Sequence, residues 1–163
     1  MSFAESYIGQ LRAVLGSRPL LMIGVRVLVE DDAGRVLILK RRDSGEWGLP
    51  AGSMELGESL MQTIHREVHE EANLTLSDVT VFGISSDPVI ESHTYPNGDQ
   101  VQSVVVLAHA RMAGGALGAN DGEATGFRFV DPDSVRPEGF TPPEYPTFGH
   151  YRRWRETGVF QFV

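Results

Sequence analysis

The sequence contains no cysteine among its 163 residues. This absence excludes disulfide bonds, thiolate metal ligands and cysteine nucleophiles, and it is consistent with a reducing cytoplasm. The first residues lack the basic start and apolar core of a signal peptide, and Arg26 interrupts the apolar run over residues 20–29. We therefore expect a cytoplasmic protein without a membrane partner.

Positive charge is scarce as well. The chain has 14 Lys and Arg against 22 Asp and Glu, which gives a net charge of −8. A protein that binds duplex nucleic acid normally shows the opposite balance, so we expect no such partner. The Gly-rich stretch 113–126 lacks a Gly-Lys-Ser/Thr ending and predicts no P-loop. The length and ordinary composition predict one domain over residues 1–163.

The acidic residues are informative where they cluster, in the stretch 52–74, which reads GSMELGESLMQTIHREVHEEANL. At about 100° per residue, Glu67, Glu70 and Glu71 share roughly a third of a helix circumference. The adjoining arc carries the apolar residues Met61, Ile64, Val68 and Ala72. We therefore expect the carboxylates to line a cleft at the edge of a buried helix face.

Three neighbouring carboxylates raise one another's pKa unless a cation compensates them. Hard oxygen ligands suit Mg2+ or Mn2+, and a phosphate can complete the coordination shell. The alternative is a solvated acidic helix face. A solvated face would not also require the further residues that stand at fixed offsets, namely Gly52, Glu58 and Arg66.

These offsets resemble the Nudix box, G-x5-E-x7-R-E-U-x-E-E-x-G-U with U aliphatic, and the chain resembles the Nudix hydrolases, the MutT-like family. Val68 and Leu74 occupy aliphatic positions of the box. One departure is Asn73, where the box has Gly. That position ends the helix in the left-handed conformation, which Asn tolerates best after Gly, so we expect function to be retained.

The resemblance implies an α/β Nudix fold, a mixed β-sheet between α-helices. It places Glu67, Glu70 and Glu71 on a metal, Mg2+ or Mn2+, together with the backbone carbonyl of Ala51. It makes Gly52 structural and pairs Arg66 with Glu58 to tie the loop to the helix. The implied activity is metal-dependent hydrolysis of a nucleoside diphosphate linked to another group, as in a nucleoside triphosphate, a dinucleotide or a nucleotide sugar such as ADP-ribose. The alternative is a non-catalytic nucleotide-binding sensor with this fold.

Outside the box, Glu123 matches an acid that many Nudix relatives carry before the last core strand. It is a candidate further ligand or general base on a mobile Gly-rich loop, with Glu67 as the competing base and a solvated loop acid as the alternative. Arg41 and Arg42 are candidate phosphate ligands, or solvated charges at a strand end. In similar proteins the hairpin of Tyr95 and Gln102 flanks the pocket for a base or sugar.

Periodicity and turn residues predict the remaining elements. We expect a hairpin over 20–29 and 35–40, strands over 79–86, 101–112 and 127–130, and a helical turn at 131–134. We also expect an N-terminal helix near 4–15, ended by Gly16, and a final helix near 147–156. The N-terminal helix either packs on the domain or forms a dimer contact, so monomer and homodimer both stay open.

Overall fold

The computed structural model describes residues 2–163, which build a mixed nine-stranded sheet with helices on both faces. The helices are α1 (Tyr7–Leu15), α2 (Leu60–Ala72), α3 (Pro88–Glu91) and α4 (Pro146–Thr157), preceded by a 3-10 helix over Phe3–Glu5. The strands are β1 (Leu20–Glu30), β2 (Val36–Arg41), β3 (Trp47–Gly48), β4 (Ala51–Ser53), β5 (Leu74–Ser85), β6 (Ser92–Thr94), β7 (Gln100–Gly115), β8 (Ala124–Val130) and β9 (Gln161–Phe162).

The two long apolar strands lie in the middle of the sheet. The main order is β3-β2-β1-β7-β5-β9, while β4 pairs with β1, β6 with β7 and β8 with β2. β1 and β7 run parallel, from the pair Leu20 and Val101 to the pair Glu30 and Arg111. Strand segments covered on both faces need continuous apolar sequence, as in the buried runs 27–29 of β1 and 105–108 of β7.

The prediction that β1 and β2 pair along their length as a hairpin is wrong. The two strands meet only at Glu30 and Val36. Beyond that pair, β1 uses its edges for β7 and β4, whereas β2 pairs with β8 and β3. The turn therefore joins two strands that diverge.

Each face of the sheet carries its own apolar core. On one face, α2 packs Ile64 and Val68 against alternate residues of β1, including Val25 and Val27. On the other face, Phe82 of β5 packs against the aromatic residues of α4. Alternate residues of a strand point to opposite faces of the sheet, so a single strand can contribute side chains to both apolar cores. Met61 was expected on the buried face of α2, but its side chain, in the first turn of the helix, is 47% exposed.

Several element ends differ from expectation. The N-terminal helix is split at Ser6, whose extended backbone ends the 3-10 helix and whose hydroxyl accepts the Gly9 N–H to cap α1. The strand predicted from 79 begins at Leu74, and the strand predicted from 127 begins at Ala124. Residues 131–134 form a hydrogen-bonded turn rather than helix. Within residues 2–163, every helix is too short or too polar to cross a membrane.

Candidate active site

Local sequence fixes both ends of α2, the helix that carries the acidic cluster. At its start, the Ser59 hydroxyl accepts the Gln62 N–H at 3.2 Å, and the Gln62 side chain accepts the Ser59 N–H at 2.8 Å. This is a capping box, which satisfies two backbone donors. At its end, Asn73 is left-handed (φ 56°, ψ 38°) and donates its N–H to His69. The predicted left-handed conformation of Asn73 is confirmed, and both ends of the helix are capped.

Gly52 is required by the position of Glu67. A Cβ built on Gly52 would lie 2.0 Å from Cδ of Glu67 and 2.2 Å from each of its carboxylate oxygens. Any larger residue would therefore displace the carboxylate from the backbone of β4. The glycine of the box makes room for the first glutamate of the cluster.

The backbone of Ala51 faces Glu71. Its N–H donates to Oε2 of Glu71 at 2.8 Å. The Val27 N–H donates to the Pro50 C=O, so these two residues form a hydrogen-bonded pair of the antiparallel ladder. Bonded and non-bonded pairs alternate along such a ladder. The next pair, Ala51 and Arg26, therefore has no hydrogen bonds between the two strands. The N–H and C=O of a strand residue point to the same side. The Ala51 carbonyl therefore faces away from β1, on the side of Glu71.

Arg66 is the organising cation of the cluster. It donates two hydrogen bonds to Glu58, at 2.6 and 3.0 Å, and one each to Glu67 at 2.8 Å, Glu70 at 3.1 Å and the Ser53 carbonyl at 2.9 Å. These bonds lower the pKa of Glu58 to about 2. The fork geometry of a guanidinium allows this many directed bonds. The structure thus contains the ion pair that ties the box loop to α2.

Burial opposes ionisation of the two inner glutamates. The Glu71 carboxylate is nearly inaccessible, and burial raises its pKa well above the usual value although Arg41 lies 3.7 Å away. Burial also raises the pKa of Glu67 to about 7, outweighing its bond to Arg66. A divalent cation beside these oxygens would favour their charged forms.

The donor set fits a hard cation, although its side chains are turned to other partners. As they stand, no three His, Asp or Glu side chains within residues 2–163 form a group able to hold one ion. Glu67 and Glu70 bond Arg66, and Glu71 bonds Ala51. The four donors are the carboxylates of Glu67, Glu70 and Glu71 and the carbonyl of Ala51. All are oxygen ligands, which Mg2+ and Mn2+ prefer. Glu67 and Glu70 each bond Arg66 through one carboxylate oxygen, so the other oxygen of each is not used in these bonds.

The cluster lies at one end of a cleft of about 990 Å³. This is the upper part of the range for small-molecule sites. The acidic end is lined by Glu67, Glu70, Glu71, Asp121 and Glu123, next to Ala51 and Gly52. The cleft is also lined by the N-terminal segment and by the turn between β6 and β7.

Glu123 lies in this cleft, immediately before β8, with an exposed side chain. Partial desolvation of its carboxylate by the surrounding cleft, followed by the neighbouring Asp121, raises its pKa. Its backbone is held, because its C=O accepts the Arg42 N–H at 2.8 Å and its N–H donates to Asp121 at 2.9 Å. The geometry keeps Glu123 within the acidic end of the cleft.

The expected mobility of the loop that carries Glu123 stays a prediction. The loop is docked on the C-terminal end of α2, where helix carbonyls lack partners within the helix. Asn120 N–H bonds the Glu70 carbonyl at 2.8 Å, its side-chain amide bonds the His69 carbonyl at 2.8 Å, and Gly118 N–H bonds the Ala72 carbonyl at 3.2 Å. In the structure the loop thus covers the C-terminal end of the helix.

The roles of Arg41 and Arg42 in phosphate binding stay predictions, and both side chains have partners within the protein. The Arg41 side chain is held by Glu144 at 2.6 Å and lies 3.7 Å from Glu71, so two carboxylates already neutralise it. Arg42 donates to the Gly122 carbonyl at 2.6 Å and positions the loop. Neither residue lines the cleft described above.

Of the two hairpin residues, Tyr95 lines the cleft and Gln102 does not. Gln102 pairs with Leu21 of β1, and both are exposed on the opposite face of the sheet. Val101, the preceding residue, lines the cleft instead. The alternation of side chains along β7 is the sequence signal that distinguishes the two residues.

Sequence reasoning missed two residues at the site, Asn120 and Glu144. Glu144 accepts the Leu49 N–H at 2.6 Å and binds Arg41, about a hundred positions earlier in the chain. No local pattern marks such a pair. For Asn120, a signal was available, because Asn following a Gly-rich stretch is a typical turn and cap residue.

A mixed sheet between helices, with an acidic helix facing a cleft, is the arrangement of an α/β protein of the Nudix fold. The model of the NUDIX domain family matches residues 20–151, and the chain belongs to this family. The predicted family, Nudix fold and enzyme class are therefore confirmed.

Relatives agree with this assignment. The chain is 29% identical over 119 residues to a MutT-like protein of Streptomyces ambofaciens, covering 73% of this chain and 70% of that one. It is 37% identical over 68 residues to an RNA pyrophosphohydrolase of Halorhodospira halophila, covering 42% and 35%, so it spans about a third of that relative. The solved structure of an ADP-ribose pyrophosphatase from Streptococcus suis superposes with a TM-score of 0.64 at 21% identity, covering 87% and 98%.

Proposed function

We propose that the protein is a metal-dependent hydrolase that cleaves the diphosphate of a nucleoside diphosphate linked to another group. One observation carries this proposal: Glu67, Glu70 and Glu71 lie together beside the backbone of β4 in one cleft. The cleft has room for more than a diphosphate. Relatives named as pyrophosphohydrolases and pyrophosphatases support the same class of reaction.

The cation would be Mg2+, with Mn2+ as the alternative. Glu67, Glu70, Glu71 and the Ala51 carbonyl would hold it, since these oxygens face the same end of the cleft. Arg66 is assigned to the scaffold, because an Arg beside a cation repels it and because its bonds to Glu58 and Ser53 are structural. Gly52 keeps the space that Glu67 occupies.

In the proposed reaction a water attacks one phosphorus of the diphosphate and the P–O anhydride bond to the other phosphorus breaks. The products are two phosphorylated fragments, and a carboxylate of the cleft accepts the proton of the water. The bound cation supplies positive charge to the phosphate oxygens and acidifies the attacking water. Glu123 and Glu67 are the candidate bases, because both lie at the acidic end of the cleft.

A hydrolysis screen tests the proposal. Nucleoside triphosphates, dinucleotides and nucleotide sugars are incubated with Mg2+, with Mn2+ and with excess chelator. We expect cleavage only with a cation, and we expect Glu70→Gln and Glu71→Gln each to raise the barrier by about 3 to 5 kcal/mol, a loss of more than roughly 100-fold in kcat. His65→Gln, an exposed change on the same helix, is the control. Full activity in chelator contradicts the proposal, and tight nucleotide binding without cleavage indicates a sensor instead.

A further inference from the structure

The N-terminal segment, residues 2–19, lies outside the stretch matched by the family model, yet it lies beside the acidic cluster. A second pocket, of about 470 Å³, is lined by this segment and by the box together. Its lining includes Glu5, Tyr7 and Gln10 from the segment and Glu58, Arg66 and Glu70 from the box. The segment is therefore close enough to act on residues of the box.

Directed hydrogen bonds hold the segment in place. Gly9 is the only residue of α1 that is buried, so this helix lies on the surface of the protein. At its start, the Tyr7 N–H donates to Oε2 of Glu55 at 2.7 Å. Farther along, Arg12 donates to the Gln100 carbonyl at 2.7 Å. A surface helix with little buried area depends on such individual bonds.

The first of these bonds joins the start of α1 to the box loop. The first N–H groups of a helix have no partners within the helix and carry the positive end of its dipole, so a carboxylate is a favourable acceptor there. The Ser6 hydroxyl accepts the Gly9 N–H at 3.0 Å. The Tyr7 N–H is accepted by Glu55, which lies 48 positions farther along the chain. Glu55 thus caps α1 from a different element.

Glu55 is in turn bonded to Glu58 in both directions. The Glu55 N–H donates to Oε2 of Glu58 at 3.2 Å, and the Glu58 N–H donates to the Glu55 carbonyl at 3.2 Å. Gly57, with φ 84°, supplies the left-handed conformation that the chain needs to turn between them. Because the two glutamates share one closed turn, a constraint on Glu55 is also a constraint on Glu58.

Glu58 connects this turn to the acidic cluster. Its carboxylate accepts two hydrogen bonds from Arg66, at 2.6 and 3.0 Å. Arg66 donates in turn to Glu67 at 2.8 Å and to Glu70 at 3.1 Å, and both are proposed metal ligands. Partners that orient metal ligands contribute to metal affinity although they do not touch the ion. A continuous series of hydrogen bonds therefore runs from α1 to the proposed metal site.

We propose that Glu55 is a positioning residue for the metal site and that the N-terminal segment acts on the site through it. This role rests on the proposed function, because it concerns the glutamates to which that function assigns the cation. The Tyr7 N–H holds Glu55 and, through the closed turn, Glu58. Glu58 then keeps Arg66 where it directs two of the helix glutamates. Releasing the segment from Glu55 should lower the affinity for the cation.

Variants that break the bond between Tyr7 and Glu55 from either side test this role. Tyr7→Pro removes the donor, and Pro suits the first position of a helix. The preceding Ser6 is already extended, at φ −65° and ψ 155°, as a residue before Pro must be. Tyr7→Ala is the matched control, because it also removes the ring but keeps the N–H. Glu55→Ala removes the acceptor, whereas Glu55→Gln keeps an oxygen that can accept the bond.

Mn2+ titrations without substrate, together with amide hydrogen exchange, measure the effect. We expect Tyr7→Pro and Glu55→Ala each to weaken Mn2+ binding roughly 3- to 10-fold and to speed exchange over residues 53–59. The double variant should bind Mn2+ no more weakly than the weaker single variant, because both changes break the same bond. Tyr7→Ala should change Mn2+ affinity less than about twofold, and Glu55→Gln should retain more affinity than Glu55→Ala.

Three results would overturn the positioning role. In the first, exchange in the N-terminal segment becomes faster while both variants keep wild-type Mn2+ affinity, so the segment only packs on the fold. In the second, the losses of the two single variants add in the double variant, so the changes act independently. In the third, Tyr7→Ala loses as much affinity as Tyr7→Pro, so the ring matters and the N–H does not.

Failure of the positioning role can be told apart from failure of the proposed function. Mn2+ binding that weakens as expected in a protein that cleaves no nucleotide derivative would uphold the positioning role and reject the hydrolase. Metal-dependent hydrolysis with Mn2+ affinity unchanged by Tyr7→Pro and Glu55→Ala would reject the positioning role alone. Wild-type protein that binds no Mn2+ would reject both.

Discussion

Two carboxylates compete for the role of general base, and their surroundings differ. Glu67 is pressed onto Gly52 and bonded to Arg66, and it is also a proposed metal ligand. Glu123 is exposed in the cleft and comes from a separate loop. Because the two side chains are held by different elements, their contributions can be separated by mutation.

Glu123→Gln should lower kcat by roughly 100-fold while Mn2+ affinity stays nearly unchanged, since the change removes a proton acceptor and no proposed ligand. Glu67→Gln should reduce both kcat and Mn2+ affinity. Steady-state kinetics and Mn2+ titrations measure the two quantities, with the exposed Glu138→Gln as control. Wild-type kcat in Glu123→Gln across the pH range would assign the base to Glu67.

Glu58 links stability to pH. Hydrogen bonds from Arg66 lower its pKa in the folded protein from 4.5 to about 2. A lowered pKa stabilises the folded state above pH 4.5, and this contribution is lost as the pH falls through 2. Glu58→Gln should therefore reduce the free energy of unfolding by about 1 to 3 kcal/mol at neutral pH.

The difference between Glu58→Gln and wild type should shrink steadily below pH 4.5. Urea unfolding at about pH 7 and about pH 3 measures it, with Glu138→Gln as the control for losing one exposed acid. A difference that is the same at both pH values would show that the Glu58 carboxylate contributes no charge-dependent stability.

At the scale of elements, local sequence predicted those structures whose limits are set locally. The left-handed Asn73 and the glycine after α1 are both short-range signals, and each appears in the structure. The start of β5 was not predicted, because Thr75, Ser77 and Asp78 are polar and a bulge interrupts the pairing there. Pairing with the distant end of β7, rather than local sequence, makes this stretch a strand.

The same distinction applies to the site. The box residues follow from fixed offsets within 23 residues, so the glutamates, Arg66 and Gly52 could be placed from sequence. Arg41 could not, because its partner lies about a hundred residues away. The side-chain alternation along β7 was a signal for Gln102, which lies on the other face of the sheet. The docking of the Asn120 loop is likewise a contact between separate elements.

Asn120→Ala should loosen the loop that carries Glu123. The variant loses the amide bonds to the His69 carbonyl and to Asn73, which should cost about 1 kcal/mol of stability. Amide hydrogen exchange should accelerate over residues 116–123, and kcat should fall more than Mn2+ affinity, because the loop positions Glu123 and not the helix glutamates. Leu117→Ala, an exposed change in the same loop, is the control. Faster exchange without a change in kcat would separate the loop from the chemical step.

At the scale of the whole molecule, the C-terminal part of the chain contacts the segment that precedes the box. Trp47 N–H bonds the Gly139 carbonyl at 2.8 Å, and Thr141 N–H bonds the Trp47 carbonyl at 2.8 Å. Glu144, just before α4, binds Arg41. Arg41 also faces Glu71 of α2, so one guanidinium connects the segments before α4 with the acidic cluster.

Glu144→Gln tests this connection. The change leaves the Arg41 charge without its nearer partner, which should reduce the free energy of unfolding by about 2 to 4 kcal/mol. Arg41 should then pair more closely with Glu71, from which it is now 3.7 Å away, and compete with the cation for that carboxylate. Mn2+ affinity should therefore fall by roughly 10-fold, as expected when a residue that supports a ligand is lost. Urea unfolding and Mn2+ titration measure the two effects, with Glu156→Gln on the exposed side of α4 as control. Lower stability with unchanged Mn2+ affinity would show that Glu144 supports the fold but does not keep Arg41 from the proposed metal ligand.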